Sequence, residues 1–444
     1  MQIIADLQLH SKYSRAVSKD MVIPIMSEWG EKKGINLLAT GDWTHPLWFK
    51  ELETNLEEAG KGIYKLKNSD KKTRFLLSGE ISSIYTANGK GRRVHTLFFA
   101  PSLEVVRKIN EELTKRGANL LSDGRPIVGL SCQELCEVVW GVDESVLVIP
   151  AHAWTPWFAL YGSKSGFDSV KECFGQYSDR IYAIETGLSS DPMMNWQIAD
   201  LDKRAIVSFS DAHSPKKLAR EATVLTGEID TEITFADVSS AISERFLGKN
   251  EGRLKIAYTI EFYPEEGKYH YTGHRTCGVV QTPEETRTKG TICHVCGRPL
   301  TVGVMHRVEQ LGHLPELTAI KKTNDVGLTG YYHPTDMSRP PYVMLVPLHE
   351  IIAESLEVGV ASKRVDELYQ RLIAEFGSEM NVLLKTKVDE LTHLAGPKLA
   401  EGVAKVRSGN IAINPGYDGV FGEVKIWGDK QVSNQLQSNQ QTLF

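Results

Sequence analysis

Imidazoles and carboxylates recur through the first half of this 444-residue chain, at the ends of short apolar runs. "IIADLQLHS" supplies Asp6, Gln8 and His10, "TGDWTHP" supplies Asp42 and His45, and "SGEIS" supplies Glu80. "VHTLFF" adds His95, "PAHAWTP" His152, "IETG" Glu185, and "SDAHSP" Asp211 with His213. Neutral imidazoles mixed with carboxylates suit divalent ions, and a carboxylate such as Glu80 or Asp211 can bridge two ions where a histidine cannot. Two or three ions (Zn²⁺, Mn²⁺ or Mg²⁺) would lower the pKa of a bound water and stabilise both the attacking and the leaving oxygen of a phosphoryl centre. Phosphoester hydrolysis is the chemistry this set predicts. Any one of these histidines alone reads as a hydrogen-bonded structural residue; the ordered series does not.

A second constellation has different chemistry. In "HRTCGVVQTPEETRTKGTICHVCGRPLT", His274 and Cys277 form an HxxC pair, and Cys293 and Cys296 a CxxC pair followed by Gly297. Three thiols and an imidazole in two pairs predict a closed, tetrahedral, structural Zn²⁺ site. His270, His294 and His306 compete with His274 for the fourth place. Cys132 and Cys136, four apart in a helical pattern, read as packing residues.

Several segments could hold nucleic acid. "AHAWTPWFALYGSKSGFDS" groups Trp154, Trp157, Phe158, Tyr161 and Phe167 beside Lys164, a mixture that can stack on an unstacked base and meet phosphate, or simply roof a core. "SPKKLARE" places Lys216, Lys217 and Arg220 directly after the last histidine motif, and Lys12 and Arg15 follow the first. Lys12, Arg15, Trp154, Trp157, Lys164, Lys216 and Lys217 are the expected DNA contacts.

Up to about residue 225, "QIIADL", "INLLAT", "FLLSGEI", "VHTLFFA", "VLVIPAH", "RIYAIET" and "AIVSFSD" read as strands separated by amphipathic helices. Seven such units predict an α/β chain with a closed or nearly closed β/α barrel, whose C-terminal strand ends would gather the ligands on one face. "TANGKGRR" reads as a hairpin turn, making one strand pair antiparallel. The expected organisation is a catalytic barrel over 1–245, a zinc-ribbon-like module over 255–310, a helical region over 311–428 and a polar tail over 429–444. With 41% hydrophobic residues and a net charge of -5, the chain can bury a large core and carries no global basic field. No apolar run approaches a bilayer span, so a cytoplasmic protein with no membrane partner is expected. The tail ends "QQTLF", in which Gln440, Leu443 and Phe444 have the form of a peptide that docks on a DNA sliding clamp.

The ordered set "DLQLHS", "TGDW", "GEI", "VHTLFF", "PAHAW", "IETGLSSDP", "SDAHS" resembles the polymerase and histidinol phosphatase (PHP) superfamily. That resemblance implies a distorted seven-stranded β/α barrel around a trinuclear metal site. It makes His10, Asp42, Glu80, His95, His152, Asp211 and His213 metal ligands with Glu185 beside them, and Asp211, Glu80 and His213 the catalytic residues. The superfamily usually writes its first motif HxH, whereas this chain has Gln8 in the first place, a weak ligand that would leave the first ion held more loosely or by Asp6 instead. Taken with the HxxC/CxxC module, "GRPLTVGVMHRVEQL" and "RPPYVMLVPLHEIIAESLEVG", nearly the whole chain resembles endonuclease Q. The family implies nicking of DNA 5′ of deaminated bases (hypoxanthine, uracil, xanthine) and abasic sites by metal-activated water, and nucleoid association. A small-molecule phosphatase of the same superfamily, or a non-catalytic DNA- or clamp-binding adaptor, are the alternatives.

Overall fold

The computed structural model describes residues 1–248, 252–312 and 317–428. Gln440, Leu443 and Phe444 of the expected clamp peptide lie outside the described residues. The fold is mixed α/β, and most of its short apolar runs are strands, as expected.

Strand Gln2–Asp6 runs parallel to Leu37–Ala39, which runs parallel to Arg74–Leu76. The next strand, Ser78–Ala87, turns back through Asn88 and Gly89 into Lys90–Phe99. Both turn residues have positive φ (53° and 71°), the condition for a two-residue turn whose twist matches its strands. Lys90–Phe99 then pairs antiparallel with Leu147–Pro150, and Ala183–Glu185 pairs parallel with Ala205–Val207. Among the described residues these strands fall into three separate ladders rather than one closed ring. Isolated backbone bonds span the gaps. Trp43 N donates to Ser78 O (3.3 Å), Ala153 N to Glu185 O (3.0 Å) and His10 N to Ala212 O (3.1 Å).

A strand beyond the seven, Ala222–Gly227, lies antiparallel on Gln2–Asp6 and carries the sheet outward through Leu254–Glu261, Tyr342–Met344, Thr329–Tyr332 and Ile320–Thr323. With Leu56–Gly60 and Ile63–Leu66 at the other edge, this sheet has 10 strands. The expected helical region over 311–428 is therefore strand-rich in its first part. "IKKT" and "TGYY", rich in β-branched and aromatic residues and joined by a turn at Asn324–Gly327, pair instead of coiling. Helices begin at Leu348–Ser355 and continue through Lys363–Phe376, Glu379–Leu384, Val388–Ala395 and Pro397–Ser408.

One contiguous hydrophobic core runs from the first strand into these helices. A buried ion pair crosses the same seam: Lys33 Nζ sits 2.8 Å from Glu379 Oε2, with both side chains at most 2% exposed. Tyr369 OH donates to the same oxygen and Leu348 N to the other, so the carboxylate is fully partnered. The cysteine segment has only a small cluster of its own, Val279, Cys293 and Leu300 with Cys277 against it. No helix of the described residues is long and apolar enough to cross a membrane.

Candidate metal centre

Residues far apart in sequence meet at one end of the ladders. One group is His10, Asp211 and His213, and another Glu80, His95 and His152; in each, one ligand atom per residue lies within 4.8 Å of the others. Glu80 joins them. Its Oε1 faces His95 Nδ1 at 2.6 Å and His152 Nε2 at 3.5 Å, while its Oε2 faces His10 Nε2 at 3.2 Å. His10 Nε2 also lies 3.2 Å from Asp211 Oδ1 within the first group, so Glu80 meets both groups.

The backbone bends to make this meeting. Asp42, His152 and Asp211 have φ of 50°, 29° and 46°, a left-handed region that non-glycine residues seldom adopt and that clusters at functional sites. Close approach is enforced beside them: a Cβ at Gly187 would lie 2.2 Å from the Cβ of His152. His95 arrives differently from expectation. It sits in the middle of Lys90–Phe99, opposite Ser82, because that strand runs antiparallel and its middle, not its end, faces the cluster.

Not every expected ligand is brought in. Asp42 stands behind His10. Its Oδ1 lies 2.9 Å from His10 Nδ1, and its Oδ2 accepts from Ser11 N, Ser11 Oγ and Ser14 Oγ. This is the carboxylate–histidine arrangement that fixes a ligand's tautomer and ring orientation. Asp6 is turned away altogether: its oxygens accept from Ser210 N, Ser210 Oγ and Ala219 N, tying the first strand to the segment that carries Asp211. Its full burial pushes its carboxyl up to about 6. The position of Gln8 answers its odd residue type: the amide Nε2 donates to Glu80 Oε2 at 2.9 Å, so it orients the bridging carboxylate. Glu185 Oε2 accepts from His152 N at 2.7 Å, and burial raises its carboxyl well above the ordinary value.

The donor set fits divalent ions. Gln8 Oε1 and Glu185 Oε1 are buried acceptors without hydrogen-bond partners among the described residues, a cost that a cation would relieve. Burial lowers His95 to about 4, keeping its imidazole neutral and able to ligate. Burial opposes ionisation of Glu80, but the Arg125 charge and the hydrogen bonds from His10 and His152 outweigh it and hold the carboxyl well below its usual range.

Arg125 is one of the residues that sequence reasoning missed, with Arg93, Lys268 and Tyr269 of the neighbouring cavity. Its Nη1 lies 3.3 Å from Glu80 Oε1 and 3.5 Å from His10 Nε2. It comes from "SDGRP", a loop rather than a strand end; the only signal was an arginine between glycine and proline.

Beside the cluster opens a cavity of about 460 Å³ lined by His95, His152 and Asp211, with Arg93, Thr155, Trp157, Phe158, Gly187, Lys268 and Tyr269. Trp157 therefore faces the site, meeting Tyr269 edge-on at 5.5 Å. Trp154 does not. It is 1% exposed, stacks on Tyr161 and donates to Asn195, so it belongs to the core because its ring and N–H are both satisfied there. Lys164 reaches Leu300 O at 3.4 Å, Lys12 pairs with Glu51 at 2.8 Å, and Lys216 and Lys217 pair with Asp366 and Glu350 of the helical region. These four lysines bind the protein to itself. The Arg15 side chain is 89% exposed.

His274, Cys277, Cys293 and Cys296 place one ligand atom each within 4.8 Å of one another. His270, His294 and His306 are outside this group. Gly278 and Gly297, each at positive φ after a ligand pair, make the tight turns that let backbone N–H groups face the sulfurs. Burial opposes ionisation of Cys293, yet backbone bonds from Cys296 and Val295 bring it down to about 6, favouring the thiolate a metal needs.

Comparison with known proteins adds a lineage to this geometry. The sequence model of a family described as the MJ0043 C-terminal domain matches residues 347–410. Protein MJ0043 of Methanocaldococcus jannaschii is 32% identical over 62% of this chain, and the aligned part spans only 31% of that longer protein. YqxK of Bacillus subtilis is 29% identical over 96% of this chain and 99% of its own. A crystal structure of the lesion-specific endonuclease PfuEndoQ from Pyrococcus furiosus superposes with a TM-score of 0.79 at 32% identity, covering 98% of this chain and 99% of that one. A structure of endonuclease Q in complex with a 27-mer duplex substrate with an abasic lesion at the active site gives a TM-score of 0.79 at 33% identity, covering 97% and 98%. Sequence identity of 32–33% sustained over nearly the whole of both structures places the chain in the endonuclease Q family.

Proposed function

We propose that the chain is a metal-dependent DNA repair endonuclease that nicks the phosphodiester 5′ of deaminated bases (hypoxanthine, uracil, xanthine) and of abasic sites. The observation that carries this is Glu80: a single carboxylate shared between two ligand groups, whose members His95, His152 and Asp211 line a cavity of about 460 Å³. His10, Asp211 and His213 would hold one ion, His95 and His152 another, and Glu80 would bridge them. Bound there, such ions supply an activated water and charge neutralisation at phosphorus.

The chain's own residues do the rest. Asp42 and Gln8 hold His10 and Glu80 in orientation. Trp157, Phe158 and Tyr269 offer aromatic walls to an extruded base, and Arg93 and Lys268 meet the phosphates around it. Because a deaminated base carries an oxo group where its parent carries an amino group, a donor aimed there would favour the lesion by about 1–3 kcal/mol. Asp211, Glu80 and His213 are the residues we assign to catalysis.

The finer architecture belongs to the same reading. The three ladders are a seven-stranded barrel opened at its seams, and His274, Cys277, Cys293 and Cys296 form a zinc-ribbon-like module with structural Zn²⁺. The boundaries 1–245, 255–310, 311–428 and 429–444, a cytoplasmic, nucleoid-associated setting, and clamp binding through Gln440, Leu443 and Phe444 complete it.

The direct test is incubation of the purified chain with duplexes carrying one inosine, one uracil or one abasic site, with Mg²⁺ or Mn²⁺. A single nick 5′ of the lesion is expected. Intact duplexes in every case, with turnover of simple phosphate monoesters instead, would sink the proposal.

A further inference from the structure

Arg125 does not come from a strand end, yet a chain of close contacts delivers it to the cluster. The preceding Gly124 donates its N–H to Tyr13 O (3.1 Å) and accepts from Thr44 Oγ1 (2.9 Å). It lies so close to Asp42 that a Cβ there would be 2.3 Å from Asp42 Oδ2 and equally close to Ser14 Oγ. Only glycine allows that approach. On the other side Pro126 O accepts from Ser82 N at 3.0 Å, which docks the loop on the strand that bears Glu80. Arg125 is thus held between the supports of His10 and Glu80, the two residues its Nη1 faces.

The guanidinium is incompletely used. Among the described residues Nη1 alone has polar partners, Glu80 Oε1 and His10 Nε2, while Nε and Nη2 have none. The side chain is 28% exposed, so its free edge reaches the solvent side of the cluster. A planar fork can keep one donor on a carboxylate and offer the others to a second oxyanion, which an ammonium cannot do with the same geometry.

We propose that Arg125 is a catalytic residue that donates to a non-bridging oxygen of the scissile phosphate, steadying the charge that accumulates on it as water adds to phosphorus and the P–O bond breaks. This rests on the phosphodiester reading above. The competing role is that of a mere counter-ion to Glu80, and the two roles part on what survives the loss of the side chain.

The test compares the parent with Arg125→Ala and Arg125→Lys in three measurements: metal content, calorimetric affinity of the metal-loaded protein for inorganic phosphate, and turnover of both a lesion duplex and bis(p-nitrophenyl) phosphate. Expected for Arg125→Ala are unchanged metal content, weakened phosphate binding, and a kcat lowered about 10²- to 10³-fold on both substrates. Added guanidinium ion should restore part of that rate, and Arg125→Lys should lie between. Loss of metal from Arg125→Ala, or phosphate affinity equal to the parent's, overturns the proposal. If Arg125→Ala does not fold, Arg125→Lys carries the same comparison. A parent that hydrolyses the small diester but nicks no lesion duplex defeats the lesion reading alone, and Arg125 is then judged on the diester and on phosphate binding.

Discussion

Nδ1 of His10 lies 2.9 Å from Oδ1 of Asp42, a carboxylate whose other oxygen accepts from the backbone and hydroxyl of Ser11 and the hydroxyl of Ser14. Asp42 therefore sets the direction in which His10 presents Nε2, toward Glu80 and Asp211. Asp42→Asn keeps the shape and loses the charge that fixes the tautomer. It should lower affinity for Mn²⁺ by about 10- to 100-fold while the fold persists, as metal titration with circular dichroism would show. Parental affinity would mean that the ring is held by its packing alone.

Asp211 has one oxygen on His10 and a left-handed backbone (φ 46°), held between Ser210, which bonds Asp6, and Ala212, whose carbonyl accepts from His10 N. Asp211→Asn should abolish nicking of an inosine duplex while leaving binding of that duplex in place. Gel assays of cleavage and of binding on the same protein separate the two.

Gln8 acts through Glu80, to which it donates at 2.9 Å. Gln8→Leu removes that donor and should weaken metal binding by about 10- to 100-fold. Gln8→His places a nitrogen in the same region and should tighten metal binding. If nicking nevertheless falls in Gln8→His, the amide's hold on the carboxylate matters more than an additional ligand.

The cysteine segment has almost no core of its own. A chelator, which would strip a Zn²⁺ held by His274, Cys277, Cys293 and Cys296, or Cys293→Ser, should loosen residues 272–301 while the helices beyond Leu348 keep their protection. Hydrogen exchange by mass spectrometry reads this directly. Protection within 272–301 that withstands chelation would show that packing alone holds the segment.

Glu261 is fully buried, with Ser208 and Thr259 donating to Oε1 and no partner at Oε2 among the described residues. Burial pushes its carboxyl up to about 8. A folded-state pKa above the unfolded one means that the contribution is fully present below the ordinary value of 4.5 and is lost as pH rises through 8. Glu261→Gln, which mimics the neutral form, should flatten the pH dependence of urea unfolding across that window and gain stability over the parent at its upper end. An unchanged profile would place the titration elsewhere.

Much of the site was legible in the chain because its ligands stand in short motifs at the ends of apolar runs. Glu80, His95, His152, Asp211 and His213 carried no signal one by one, but as an ordered series they pointed to the cluster in which they meet. What the spacing could not reveal was depth. Asp6, Asp42 and Asp211 are all aspartates beside strands, yet hydrogen bonds to backbone and serine turn the first away and set the second behind His10. Lys216 and Lys217 looked free beside a metal motif because the carboxylates that meet them, Asp366 and Glu350, come from well over a hundred residues later. Arg125 escaped for the opposite reason: its loop follows no periodicity, and only the glycine before it betrays a close approach. The strands at 320–344 were hidden by a helical texture that begins only after them.

The sheet that starts at Gln2–Asp6 continues without a break through Ala222–Gly227 and Leu254–Glu261 to Ile320–Thr323. Excising the first half as a stand-alone fragment would strip Ala222–Gly227 of a neighbour and leave an open apolar edge inviting other chains to pair with it. The two halves would then have to be expressed and engineered as one piece, and transplanting the helices alone would require carrying their share of the sheet with them.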